Sequence, residues 1–127
     1  MSDKQNILLV KSLQFAIRIV HLYRHLSEKK KEFVLSKQLL RSGTAVGAMT
    51  REAQNGESKA DFIHKLSIAQ KECDETIDWL ILLNETSYLS ETEFKSIHAD
   101  ALELLKIIRS IILTTKTKFK PVHSIDS

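Results

Sequence analysis

Proline is nearly missing from this chain. The single one, Pro121, lies within the last seven of 127 residues, so the first 120 positions are free of the strongest helix breaker. Glycine is scarce as well, at three, and long helices without strands are expected. One cysteine, Cys73, excludes a disulfide within the chain. Aromatic side chains, 6% of the total, are too few to stack a single strand of nucleic acid along a groove. Charges interrupt every apolar run well short of the roughly 20 residues of a membrane span. The N-terminus shows no apolar core followed by a small-residue cleavage site. A soluble, cytoplasmic protein is therefore expected. At this length the chain has room for one core, not two: one domain over residues 1–120 and a frayed tail over 121–127.

What is present is organised around the stretch from Leu39 to Leu83. It reads as the end of one helix, a turn at Asn55-Gly56, and a long helix opened by Ser58 as N-cap, with Asp61 three residues on. From there Phe62, Leu66, Ala69, Cys73, Thr76, Leu80 and Leu83 alternate steps of four and three, a heptad seam. Cys73 sits on that seam as a small hydrophobe. Beside it run Ile68, Glu72, Glu75, Trp79 and Leu82, where the two carboxylates are placed to meet Arg41 or a basic residue of another subunit.

A first helix is expected over Asp3–Ser27 with two apolar seams: Leu9, Leu13, Ala16, Val20 and Tyr23, and beside them Leu8, Phe15, Ile19, Leu22 and Leu26. Glu28-Lys29-Lys30-Lys31-Glu32 reads as a solvated turn. The second helix is expected from about Phe33 to Gln54, with Leu35, Leu39, Ser42, Val46, Met49 and Ala53 inward. Gly43 and Gly47 cost about 1 kcal/mol each inside a helix, which implies a close neighbour. Arg41 and Glu52 share a face, either as two exposed charges or as an ion pair that sets register. The fourth helix starts at Ser90, with Glu93 completing a capping box and Leu89 stapled to Phe94, and runs to about Lys118 through Phe94, Ile97, Ala101, Leu104, Ile108, Ile111 and Thr115. Four such helices joined by short turns specify an all-α, antiparallel up-down-up-down four-helix bundle. Apolar positions exceed the three in seven that a bundle helix needs, which points to self-association.

Charge is segregated. Residues 1–51 carry ten basic and three acidic side chains, residues 52–105 four and twelve, and residues 106–127 five and one. Such blocks either make a basic face for a polyanion or pair with each other inside the bundle. Lys4, Lys11, Arg18 and His25 recur every seven residues, with His21 and Arg24 alongside, as a cationic stripe on the first helix. Chemistry of other kinds has little support. His21, His25 and Glu28 fall on one side of a helix without the HExxH order of a zinc site, and His64, His98 and His123 have no partners at diagnostic spacing. Glu72 and Glu75 lack the Glu-x-x-His companions of a di-iron bundle. The two helical glycines form no phosphate loop. No catalytic residue, metal or cofactor is expected.

The stretch LSKQLLRSGTAVGAMTREAQNGESKADFIHKLSIAQKECDETIDWLILL, with FAIRIVHLY near the start and LLKIIRSII near the end, resembles the bacterial four helix bundle protein family. The founding members of that family are encoded in intervening sequences of 23S ribosomal RNA genes. RSG-x-x-x-GA, then Glu-Ala, then SKADFIHKLSIA-x-KE-x-x-ET is a specific signature. The resemblance implies a bundle that assembles into a ring-like homopentamer, an accessory protein rather than a ribosome component. Related bundles assist the reverse transcriptases of diversity-generating retroelements, where a basic surface engages nucleic acid and the enzyme. The motif carries over onto Arg41, Ser42, Gly43, Gly47, Glu52, Ser58, Phe62, Glu72 and Glu75. Met49 stands where many members have asparagine.

Two functions are in view. The first is a homo-oligomeric scaffold that binds structured RNA or another nucleic acid through Lys4, Lys11, Arg18, Arg24 and His25, extended by Lys106, Arg109 and Lys116. The second is an adaptor whose acidic middle docks a partner enzyme such as a reverse transcriptase.

Overall fold

Four helices account for nearly all of residues 2–118, which the computed structural model describes: α1 (Asp3–Glu28), α2 (Leu35–Gln54), α3 (Lys59–Glu85) and α4 (Glu91–Lys118). The tail expected over 121–127 lies outside these residues. α1 packs on α2 and α4, and α3 packs on the same two. Among the described residues the backbones of α1 and α3, and of α2 and α4, do not approach closely, so the helices occupy the corners of a square in chain order. Neighbours run antiparallel: Arg41 of α2 reaches Glu72 and Glu75, and Glu52 farther along α2 meets Lys65 earlier on α3.

The helix starts follow from their caps. The Ser2 hydroxyl accepts from the Gln5 amide, while the Gln5 side chain accepts from the Ser2 amide. Ser58 accepts from the Asp61 amide at 3.0 Å, and the Asp61 carboxylate reaches back to the Glu57 amide. At α4 the capping box closes both ways, with Glu93 N–H to Ser90 and Ser90 N–H to Glu93 each at 3.1 Å.

α2 differs from its sequence reading. It begins at Leu35 rather than Phe33, and Val34 at its N-cap offers no side-chain acceptor. The acceptor is Glu32, expected in a solvated turn but only 8% exposed. Its carboxylate takes the amides of Val34, Leu35 and Ser36 at 3.2, 3.0 and 2.7 Å. Burial pushes this carboxyl up, and the three amides more than offset it, so it titrates below the ordinary value of 4.5.

The heptad seam of α3 is the inner wall of the bundle: Leu66, Ala69, Cys73, Thr76, Leu80 and Leu83 are all buried. Burial also pushes the Cys73 thiol up to about 12, and its S–H donates to the Ala101 carbonyl at 3.3 Å. From α4 the expected Ile97, Ala101, Leu104, Ile108 and Ile111 enter the core, joined by Leu105 and Ile112. Only one of the two seams expected on α1 goes inside. Leu8, Phe15, Ile19 and Leu26 are buried, whereas Leu13 is 50% exposed, and Leu9, Ala16, Val20 and Tyr23 are half-buried. α2 contributes Leu39, Val46 and Ala53 with Ser36, Ser42 and Thr50, while Leu35 and Met49 pack at the margin.

The two glycines of α2 play different parts. A Cβ on Gly43 would fall 2.8 and 2.9 Å from the branch carbons of Ile19, which is fully buried and has nowhere to retreat. A Cβ on Gly47 would make ordinary contact, 3.4 Å from the Ser12 carbonyl oxygen. Gly43→Ala is therefore expected to lower stability by about 1–3 kcal/mol through overpacking, while Gly47→Ala is neutral or gains up to about 1 kcal/mol. Urea unfolding of the two variants reads this directly, and the reverse order would refute the packing account.

For Glu32→Gln, a loss of about 1 kcal/mol near neutral pH is expected. The native carboxyl titrates below 4.5, so its contribution is complete above that value and disappears as pH falls through the lower folded one. Wild type and variant should converge in acid. A gap that stays constant from about pH 7 to about pH 3 would show that the charge of Glu32 plays no part.

Candidate nucleic-acid interface

Successive residues of a helix point about 100° apart, and α1 uses this to sort its side chains. Lys11 and Arg18 face α4, the next residues Ser12 and Ile19 face the core and α2, and the next again, Leu13 and Val20, turn outward. The cationic stripe is thus laid along α4 rather than opposite the bundle. Lys4 donates to Ser110, Lys11 pairs with Glu103 at 3.0 Å, and Arg18 binds Asp100 and Ser96, each at 2.7 Å. As residue numbers rise by seven on α1 (4, 11, 18), their partners fall by seven on α4 (110, 103, 96), the signature of two antiparallel helices in fixed register. Of the two ways to use the charge blocks, pairing within the bundle is what happens at these positions. Each pair is partly open to water, so none contributes more than about 1 kcal/mol. Their effect is on register, along the sparsest of the four helix interfaces.

The remaining candidates are scattered. Arg109 pairs with Asp74 at 3.8 Å on the outer edge between α3 and α4. Arg24, Lys106 and Lys116 are exposed with no ion pair. His25 is half-buried beside a small cleft that it lines with His21, Arg18 and Glu93.

What the sequence reading passed over is the α1–α2 turn. Lys29, Lys30 and Lys31 are fully in the open, Lys31 with a left-handed backbone (φ 57°), and Lys37 is exposed one turn into α2. Among the described residues none of the four has a carboxylate within ion-pair distance. The capping role of Glu32 leaves Glu28 as the only acidic side chain of the turn facing water. A run of three lysines was the visible signal. It stood in a stretch read only as a solvated turn.

A cleft of about 800 Å³ opens at the opposite end of the bundle between Ser2, Lys4, Gln54, Ser58, Phe62 and Lys118. Two helix starts point there, but the Ser2 and Ser58 hydroxyls already accept from their first-turn amides.

The polar network named by the motif is assembled between α2 and α3. Arg41 donates to Glu72 at 2.8 Å and to Glu75 at 2.6 Å, and the Trp79 ring N–H reaches Glu75 at 3.4 Å. The Arg41 hydrogen bond, ahead of all else, holds the Glu75 carboxyl below the ordinary range. Deeper in, the buried Thr76 hydroxyl lies 2.7 Å from the Glu72 backbone carbonyl, one turn back on α3, and 2.9 Å from the Ser42 hydroxyl of α2. Arg41 and Glu52 do not pair: three turns of helix separate them, roughly 16 Å at 1.5 Å per residue, and Glu52 takes Lys65 instead, at 3.6 Å. Met49 packs against the core margin.

Residues 4–110 match the family described as 23S rRNA-intervening sequence protein. The chain belongs to this family. A crystal structure of a protein of unknown function from the S23 ribosomal protein family of Bacteroides thetaiotaomicron is similar to it, at 52% identity with a TM-score of 0.85 over 86% of this chain and 97% of that one. No curated protein matches the chain. For this intervening-sequence protein the matched span includes the whole α1–α4 ladder, the Arg41 network and the lysine turn; Lys116 falls outside it. Among the described residues no three His, Cys, Asp or Glu side chains converge as a metal site, and no helix is long and apolar enough to cross a membrane.

If the ladder sets register, Arg18→Glu should lower stability by up to about 1 kcal/mol, and Asp100→Arg placed in the same chain should recover most of the loss. A double variant no more stable than the sum of its single changes would show that the two residues are not coupled.

Proposed function

We propose that this intervening-sequence protein is a non-enzymatic, homo-oligomeric scaffold that holds RNA or another nucleic acid by its phosphates, five copies being the assembly that the family resemblance implies. The observation that carries this reading is the end of the bundle formed by the α1–α2 turn. Lys29, Lys30 and Lys31 stand there exposed, with no ion pair among the described residues, while His25 and Lys30 lie near enough to Glu93 to help lower its carboxyl. The contact is thereby moved from Lys4, Lys11 and Arg18, which are engaged with α4, to the turn. Lysines on a turn neutralise phosphates without reading base edges, so binding would be weakly specific and strongly salt-dependent. Repetition around an assembly would multiply a weak contact into a useful one. Arg109 and the free Lys106 and Lys116 are too dispersed on α4 to act with the turn as one surface.

Light scattering on the purified protein, together with titration of a mixed RNA pool, tests both parts. A mass of several chains is expected, with affinity falling at least about tenfold between roughly 50 and 200 mM salt. Lys29→Glu with Lys31→Glu should weaken binding and flatten its salt dependence, whereas Arg18→Gln should leave both nearly unchanged. Binding that ignores salt, or that follows Arg18 instead of the turn, would overturn the reading.

A further inference from the structure

Phe33 and Val34 end the α1–α2 turn as apolar residues that the bundle does not use. They stand 52 and 73% exposed, and neither packs against the core. The backbone puts them there. With Lys31 left-handed, the Glu32 amide reaches back to the Leu26 carbonyl at 2.9 Å, and the Glu32 side chain turns in to cap α2. The next two residues are left at the rim. An apolar residue just before an N-cap is ordinarily explained by a staple onto the fourth residue of the helix. Leu89 has Phe94 in that place and is buried, whereas Phe33 has Gln38, which is polar and exposed. Among the described residues Phe33 is also the only exposed phenylalanine, tyrosine or tryptophan.

The charge beside this apolar tip is mostly of one sign. Lys29, Lys30, Lys31 and Lys37 are exposed within a few residues of Phe33, and Arg24 is exposed near the end of α1. Glu28 is the one carboxylate facing water on the same turn. Glu85, Glu91 and Glu93 lie across the end of the bundle at the α3–α4 turn; Glu91 has Lys95 at 4.0 Å, and Glu93 is near enough to feel His25 and Lys30. A flat ring among lysines fits a polyanion that carries flat apolar faces of its own. In an unbroken duplex those faces are covered by neighbouring base pairs, and in a bulge or loop they are open. We infer that Phe33 stacks on an unpaired base while the lysines hold the phosphates on either side, so that the preferred partner is a structured RNA interrupted by a bulge or loop. Stacking accepts any base, so the contact stays weakly specific in sequence, and one ring is enough for one base. A lipid surface is less well served: membrane binding grows with the apolar area inserted, and two side chains on a turn offer little. The inference rests on the nucleic-acid reading above and adds to it the part of the RNA that is recognised.

The probes are an RNA duplex and the same duplex with an internal bulge of unpaired adenines, which share their ends and nearly all their charge. The wild type should bind the bulged duplex about tenfold more tightly or better. Phe33→Ala should erase this preference and Phe33→Trp should keep it. If Phe33→Ala loses its helical circular dichroism, Phe33→Leu, which keeps apolar bulk without a ring, takes its place. A wild type that binds both RNAs equally, or a preference that survives loss of the ring, overturns the inference while phosphate binding by the turn stands. A wild type that binds neither RNA overturns both. Phosphatidylglycerol vesicles are titrated alongside: capture that depends on Phe33, without a preference for the bulged RNA, would make lipid the partner and overturn the inference.

Discussion

Ile19 occupies the space that a side chain on residue 43 would need, and this close approach of α1 to α2 sets the rotation of α1 on which much else depends. With Ile19 and Ser12 against α2, the stripe of Leu8, Phe15 and Leu26 turns into the core. The same rotation sends Lys4, Lys11 and Arg18 toward α4 and leaves Val10, Leu13 and Ile17 outside. One steric contact thus decides which of two equally apolar seams is buried, which cations are neutralised, and which surface remains to be covered. Serine at position 12 fits this account: it is fully buried, and a bulkier residue would push α1 away from the backbone near Gly47.

The charges show how little a net value reveals. Three of the four residues that made α1 look like a nucleic-acid stripe, Lys4, Lys11 and Arg18, are held by carboxylates and hydroxyls of α4. Arg41 is held by Glu72 and Glu75. Four cations without an ion pair among the described residues, Lys29, Lys30, Lys31 and Lys37, cluster at the α1–α2 turn, where Glu32 is withdrawn to satisfy the free amides of α2. A helix lacking a serine, threonine or aspartate at its N-cap thereby changes the electrostatics of a whole end of the bundle.

Much of this fold was legible in the sequence. Three of the four helix starts carry serine caps that bond as their spacing required, and the four-three alternation from Leu66 to Leu83 is buried position by position. Cap chemistry and heptad spacing act over a few residues, so sequence neighbours are enough to specify them. The site was less legible. Arg41 with Glu72 and Glu75 was foreseen as one of two pairings, and of the two readings left open for Arg41 and Glu52 the ion pair does not form, because a shared face is not a shared position. The partner stripe Ser96, Glu103 and Ser110 repeats every seven residues just as Lys4, Lys11 and Arg18 do, and matching the two periods would have revealed the ladder.

The chain by itself therefore determined its helices, their ends and the wall of the core contributed by α3, since these rest on local backbone chemistry and on a period that one helix displays alone. Only the tertiary structure decided how far α1 is rotated, why Gly43 and Gly47 are not equivalent, where Glu32 goes, and which cations keep their charge in water. Apart from Glu32, whose amide partners are two to four residues on, each of those depends on an atom that lies tens of residues away along the chain and within a few ångströms in space.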